Sequence, residues 1–256
     1  MCTSEWNHAY QHSTMQQEVT NKEIIREFYR RAVGQGDIDF ANQIIADHYI
    51  QHSPGMKPGK AGVLDAIAYM KQMPKPASTK PPFMRLLAEG DYVVTNLSFE
   101  WGGKQKAVVD LFRFQNGKVA EHWDVIEDYP ESSLNSNELM DGPLSVDDAS
   151  LTAFHKELVI TFFKRVFVEK QLDLLDEFVV TDLIQHTPEI ANGLDGLRQY
   201  LEGQGSHELA RNMQHVIAEG DFVVIQLDDS QRKYFDIFRL SNRKIVEHWS
   251  VKQVVS

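Results

Sequence analysis

The stretch Asp110–Trp123, DLFRFQNGKVAEHW, returns further along the chain as Asp236–Trp249, DIFRLSNRKIVEHW. In the first copy, alternating residues flank Asn116-Gly117, a strong hairpin signal. Matches continue outward from this stretch. Ala88-Glu89-Gly90-Asp91 returns as Ala218-Glu219-Gly220-Asp221, and Asn21–Gly62 aligns with His155–Gly196, where QHSP (51–54) becomes QHTP (185–188). The offset falls from 134 to 130 to 126, so the second copy lost four residues between Gly196 and Ala218 and four between Leu227 and Asp236. Losses of this kind fall in loops and hairpin tips. The chain is therefore a tandem duplication. The copies span about 18–130 and 151–256, and a Ser-, Asn-, Asp- and Pro-bearing linker spans 131–150.

Each copy has the same internal order. Ile24, Ile25, Phe28 and Ala32 repeat at helical spacing, as do Leu158, Val159, Phe162 and Val166. A short second helix carries Phe40, Ile44 and Ile45, mirrored by Leu174, Phe178 and Val179. Proline disfavours helical geometry in the residue before it, so QHSP and QHTP end this helix in a loop. A third helix begins after Gly62 and Gly196. Strands are expected over 83–88, 92–100, 106–114 and 118–126. Helices followed by an antiparallel sheet make an α+β fold. A curved sheet wrapped around the helices leaves one end open for a pocket.

Composition narrows the function. The chain has 256 residues, 42% hydrophobic and 25% charged, with a net charge of -11. This acidity and the lack of a basic cluster argue against nucleic acid as a partner. No apolar run reaches the roughly 18–20 residues of a spanning helix, so no membrane is expected either. Cys2 is the single cysteine, which excludes an internal disulfide framework. Met1–Thr20 is polar, lacks the pattern of a secretory signal, and reads as a frayed arm. These features point to a cytoplasmic protein acting on something small.

The final hairpin carries the candidate chemistry. If Gln115-Asn116-Gly117 form a three-residue loop with a bulge, Phe112 faces Ala120 and Asp110 faces His122, and Asp110, Phe112, His122 and Asp124 share one strand face. Arg113, Glu121 and Trp123 then lie on the other, where Arg113 and Glu121 can pair. A two-residue Asn-Gly turn would instead set His122 and Asp124 on the face opposite Asp110. The first register is preferred, because it gathers polar groups beside an aromatic ring in a pocket lining.

The order helix-helix-QHxP-helix-sheet, ending in DxFRxxxGKxxEHWDV, resembles the SnoaL-like polyketide cyclases. These belong to the NTF2-like (cystatin-like) superfamily of α+β cones. The resemblance covers both copies and implies two tandem cone domains. It also implies a catalytic aspartate on the final strand, which falls on Asp124 as general acid/base. Family cyclases carry a second polar residue fourteen positions earlier, often histidine; Asp110 stands there instead. His122 is the neighbouring candidate catalytic group, a donor to a developing enolate oxygen. His52, Asp110 and Phe112 are the expected substrate-binding residues of the first copy, with His52 reaching the pocket from the loop after the second helix.

In the second copy His186, Asp236 and His248 repeat His52, Asp110 and His122, but Ser250 stands where Asp124 stands. Serine is no base without an activating partner. The second pocket, with His186, Asp236, His248 and Ser250, is therefore expected to bind ligand at most. The reaction implied is an aldol-type cyclisation, isomerisation or related proton transfer on a small apolar carbonyl compound, with no cofactor and no metal. A non-catalytic ligand-binding protein on the same fold is the alternative. Fusion of two copies suggests an intramolecular pseudo-dimer, with a homodimer of whole chains as a further option.

Overall fold

The computed structural model describes residues 2–53, 55–73, 82–203, 212–229 and 231–255, with side chains from residue 13 onward. The first copy opens with α1 (Cys2–Glu27), which widens into π-helical turns over Phe28–Val33. The polar stretch read as a frayed arm is thus part of a helix. Asp37 caps α2 (Ile38–Ile44) by accepting from the Phe40 N–H. Next come β1 (Ile45–Gln51) and α3 (Gly59–Met70). Four strands close the copy: β2 (Phe83–Glu89), β3 (Tyr92–Trp101), β4 (Lys104–Gln115) and β5 (Lys118–Asp128).

The second copy repeats this order. α4 (Thr152–Phe162) widens over Phe163–Val168, and α5 (Leu175–Phe178) leads into β6 (Val179–Gln185) and α6 (Gly193–Gly203). β7 (Asn212–Glu219), β8 (Phe222–Asp228), β9 (Arg232–Ser241) and β10 (Lys244–Val254) follow. The sheets have matching orders, β1-β5-β4-β3-β2 and β6-β10-β9-β8-β7. The architecture is two tandem α+β domains with the same strand order.

The sheets differ from the sequence expectation in one respect: they are mixed. β1 runs parallel to β5 and β6 parallel to β10. Ile45, placed above on a helix, opens β1, and Gln51 closes it opposite His122. The loop of QHSP therefore begins one residue later than expected, with His52. The four-residue shortening between Leu227 and Asp236 falls at the strand ends of that hairpin: β8 and β9 have 7 and 10 residues where β3 and β4 have 10 and 12. The other, between Gly196 and Ala218, spans residues 204–211, outside the described residues.

The β4–β5 turn is the two-residue form, with Asn116 at φ 52° and Gly117 at φ 73°. The three-residue loop preferred above is not what forms. The inner face is nevertheless the one it required. In the second copy the reason is visible. Lys244 pairs with Ser241 across the turn, and Ile245 with Leu240, but Glu247 pairs with Arg239. Val246 is an extra residue, a β-bulge that moves every later side chain of β10 to the other face. His248 then lies opposite Phe238, and Ser250 opposite Asp236. In the first copy Phe112 stacks on His122 with ring centroids 4.6 Å apart, matching Phe238 on His248 at 4.7 Å. With a two-residue turn, that stack requires the same extra residue on β5.

Compact packing divides the chain into 1–79 with 86–95 and 110–124, and 80–85 with 96–109 and 125–256. The first unit holds an apolar core of Ile25, Ala32, Ala41, Ile45, Tyr49, Val63, Ile67, Phe112 and Val119. The second holds the larger core around Phe162, Phe163, Leu183, Leu197, Ile225 and Phe238. The linker is not a loose tether. Leu139 and Met140 are buried, and Asn135 donates to the Thr187 and Ile190 carbonyls at 2.7 and 2.9 Å. Arg85, fully buried, donates to the carbonyls of Pro143 and Asp141 and lies 4.7 Å over the Trp249 ring. No described helix is long and apolar enough to cross a membrane.

Candidate active site

β4 and β5 bring Asp110 and His122 together on the inner face of the first sheet. The Asp110 carboxylate is 6% exposed and satisfied from three directions. Its Oδ2 accepts from the Tyr29 hydroxyl at 2.6 Å and the Thr95 hydroxyl at 2.8 Å. Its Oδ1 lies 3.0 Å from His122 Nε2. Three donors around one carboxylate compensate much of its desolvation. Tyr29 sits in the π-helical turns after α1, a feature common at functional sites.

Gln51 sets the protonation of His122. Its Oε1 accepts from the Ser53 backbone N–H at 3.2 Å and the Ser53 hydroxyl at 2.8 Å, so the atom placed there is an acceptor. The same oxygen lies 3.0 Å from His122 Nδ1, which must then be N–H. The remaining proton lies between Nε2 and Asp110. Burial alone would pull the His122 imidazole down, but the hydrogen bond to Asp110 and the charges of Asp110 and Asp124 outweigh it and raise its pKa. The direction of this shift favours the protonated His122.

This arrangement changes the role expected of His122. Both ring nitrogens are engaged, so His122 has no N–H left for a substrate oxygen. Asp124 lies two residues beyond it on β5, and its charge acts on His122, Tyr29 and Tyr49. The Tyr49 and Tyr29 phenols are held in the protonated form, chiefly by burial and then by these carboxylates. Tyr49 and Phe112 border an apolar cleft with Ile25, Phe28, Ile45, Val63 and Val119. The cleft is about 10 Å³, room for about one water.

His52 does not join this group. The chain alternates at β1, so Gln51 faces inward and His52 outward. There His52 stacks on Trp123 at 4.6 Å and meets Glu121 Oε1 at 2.9 Å, while Glu121 Oε2 accepts from Arg113 at 2.6 Å. The expected Arg113–Glu121 pair is present, on the expected face. His186 repeats this outer placement. It stacks on Trp249 at 4.6 Å, contacts Glu247 at 2.8 Å and the Glu138 carbonyl at 2.7 Å. Both QH histidines therefore belong to the outer face, not to a pocket.

On the inner face of the second sheet, Asp236, His248 and Ser250 are all buried, and His248 Nδ1 lies 3.0 Å from Gln185 Oε1. The hydroxyls of the first copy have no counterparts there. Tyr29 corresponds to Phe163, Thr95 to Ile225 and Tyr49 to Leu183, all three in the apolar core. Ile225 pairs directly opposite Asp236. Tyr29, Tyr49, Thr95 and Gln51 were not singled out from the sequence. The signal for three of them was available, as positions where the first copy is polar and the second apolar. Among the described residues no cluster of three or more His, Cys, Asp or Glu side chains could hold a metal ion.

Comparison with known proteins bears on the same region. Residues 23–131 match the model of the SnoaL-like polyketide cyclase family. The match falls on the first copy. Among solved structures, the chain is similar to an NTF-2 like protein of unknown function from Burkholderia xenovorans LB400, at 23% identity over 45% of this chain and 89% of that one (TM-score 0.38). It is also similar to a proposed polyketide cyclase from Bacillus cereus ATCC 10987, at 20% identity over 42% and 74% (TM-score 0.35). TsrD from Streptomyces laurentii matches at 18% identity over 43% and 89% (TM-score 0.34). No curated protein matches.

Proposed function

We propose that the first copy is a cofactor-independent enzyme of the SnoaL-like type. It catalyses an aldol-type cyclisation, isomerisation or related proton transfer on a small carbonyl compound, with Asp124 as general acid/base. The two repeats, 18–130 and 151–256, act as separate domains, and only the first is competent. The observation carrying this reading is the setting of Asp124: the same inner strand face as a buried Asp110–His122 ion pair, with the Tyr49 phenol at an apolar cleft within its field. The Asp124 carboxylate removes a proton from carbon next to the carbonyl and returns it to the alkoxide formed when the new bond closes. The imidazolium of His122 supplies the positive charge facing this chemistry, and Asp110 positions it.

The cleft is narrow and apolar, with the Phe28 and Phe112 rings edge to face 6.2 Å apart on its lining. The substrate is accordingly small and apolar. The narrow, apolar lining also suits the second reading, a binding module without turnover. Hydrogen–deuterium exchange at the carbons beside the carbonyl of cyclohexanone, followed by NMR in heavy water, separates the two. The enzyme reading expects exchange that Asp124→Asn lowers by about 10²–10⁴-fold and that Ser250→Ala leaves unchanged. Equal losses in the two variants would reject the asymmetry. Binding without exchange would leave the binding module.

A further inference from the structure

Resting on the reading above that the apolar cleft of the first copy is the ligand site, we propose that Phe28 is the entrance residue of that cleft and sets the size of ligand it accepts. Seven residues line the cleft, and six of them are buried. Phe28 alone is half-buried, with the cleft on one side and solvent on the other. It opens the π-helical turns after α1. Its ring meets Tyr29 edge to face at 5.6 Å and Phe112 at 6.2 Å. Tyr29 is held by its hydrogen bond to Asp110, and Phe112 is stacked on His122. Of these three rings, Phe28 is the one that turns outward without breaking a hydrogen bond or the inner-face stack.

The second copy holds the same residue shut. Phe162, the counterpart of Phe28, is 1% exposed. Its ring lies 5.5 Å from Phe167, 5.7 Å from Phe178 and 5.9 Å from Phe238. Phe238 has its counterpart in Phe112, but Phe167 and Phe178 are replaced in the first copy by Val33 and Ile44. On the wall that α3 provides, Val63 likewise stands for the larger, buried Leu197. The first copy therefore keeps the entrance ring and lacks the side chains that jam it. Protein interiors are close-packed, so a ring moves only where its neighbours leave room. Phe28 has no polar group and selects by volume. In an apolar site a single methylene changes discrimination by roughly 10–200-fold. The ligand class is thus a compact, uncharged carbonyl compound, and Phe28 excludes its bulkier analogues.

The test measures binding of two ketones to the full-length protein by ligand-observed NMR. Cyclohexanone is the compact probe, and 4-tert-butylcyclohexanone carries the same carbonyl on a bulkier ring. Phe28→Ala should shift the affinity ratio toward the bulkier ketone by about tenfold or more. Val33→Phe combined with Ile44→Phe, which reproduces the second copy, should weaken both ketones by about tenfold or more. Thermal unfolding verifies that the variants fold, and the two single substitutions serve if the pair does not. An unchanged ratio in Phe28→Ala, or undiminished binding with the added phenylalanines in place, overturns the role of Phe28. Cyclohexanone exchange that still needs Asp124 would then leave the underlying reading standing. Failure of both the wild type and Phe28→Ala to bind either ketone removes the cleft as a ketone site and the entrance with it. A ratio that follows Phe28 without any exchange supports the entrance and removes only the base.

Discussion

The two inner sheet faces share a skeleton and differ in what surrounds it. Both keep the Gln–His–Asp series, Gln51, His122 and Asp110 in one, Gln185, His248 and Asp236 in the other. Both stack the histidine on a phenylalanine of the neighbouring strand. The first adds Tyr29, Tyr49, Thr95 and Asp124; the second has Phe163, Leu183, Ile225 and Ser250. The second sheet folds without those four groups, so the fold does not require them. A duplicated chain thus carries its own control, separating residues that build the cone from residues that equip it.

Three substitutions would break or sharpen this contrast. The largest effect is expected from Asp110→Asn, which strands the buried His122 imidazolium without its counter-charge. The cost should be about 3–5 kcal/mol near pH 6, measured by urea unfolding. The raised His122 pKa gives the pH dependence its sign. The folded value lies above the unfolded one of about 6.5, so the pair's contribution is complete below that pH and is lost as pH rises through the folded value. The cost of Asp110→Asn should therefore shrink toward pH 9. A pH-independent cost would mean that His122 is neutral.

Tyr29→Phe makes the first copy resemble the second at Phe163. Asp110 keeps Thr95 and His122 as donors, so the loss should be smaller, about 1–3 kcal/mol in the same measurement. No loss would mean that Thr95 and His122 alone satisfy Asp110. The smallest change is at Glu127, whose counterpart in the second copy is Gln253. Burial raises the Glu127 carboxyl to about 7, against the Lys252 N–H that favours its ionised form. A raised folded value stabilises fully below the unfolded pKa, about 4.5, and that contribution disappears as pH rises through about 7. Glu127→Gln should gain roughly 1–3 kcal/mol over the wild type at pH 8 and nothing at pH 4. The opposite pH trend would mean that the Lys252 contact dominates.

Much of this architecture was legible in the residues. The repeat and all four antiparallel strands of the first copy follow from identities and alternation. β1 did not, because Ile44-Ile45 continue a helical apolar spacing and the strand's partner, β5, lies some seventy residues away. Long-range parallel pairing leaves little local trace. The face holding Asp110 and His122 was found through the wrong turn. The bulge expected in the loop lies instead within the strand, at Val246 in the second copy, where it restores the parity that a two-residue turn removes. Tyr29 and Thr95 escaped notice because one reads as part of a helix's apolar stripe and the other as an ordinary strand residue. They converge on Asp110 only through folding.

That single supernumerary residue on the last strand has a bearing on how this chain could be altered. Excising Val246 from β10 would leave the hairpin's hydrogen bonds almost intact while turning every residue beyond it inside out. His248 and Ser250 would move to the outer face, and Trp249, already buried, to the inner one. The hairpin behaves like a text with a reading frame, in which one letter decides whether the chemistry is written on the inside or the outside of the cone.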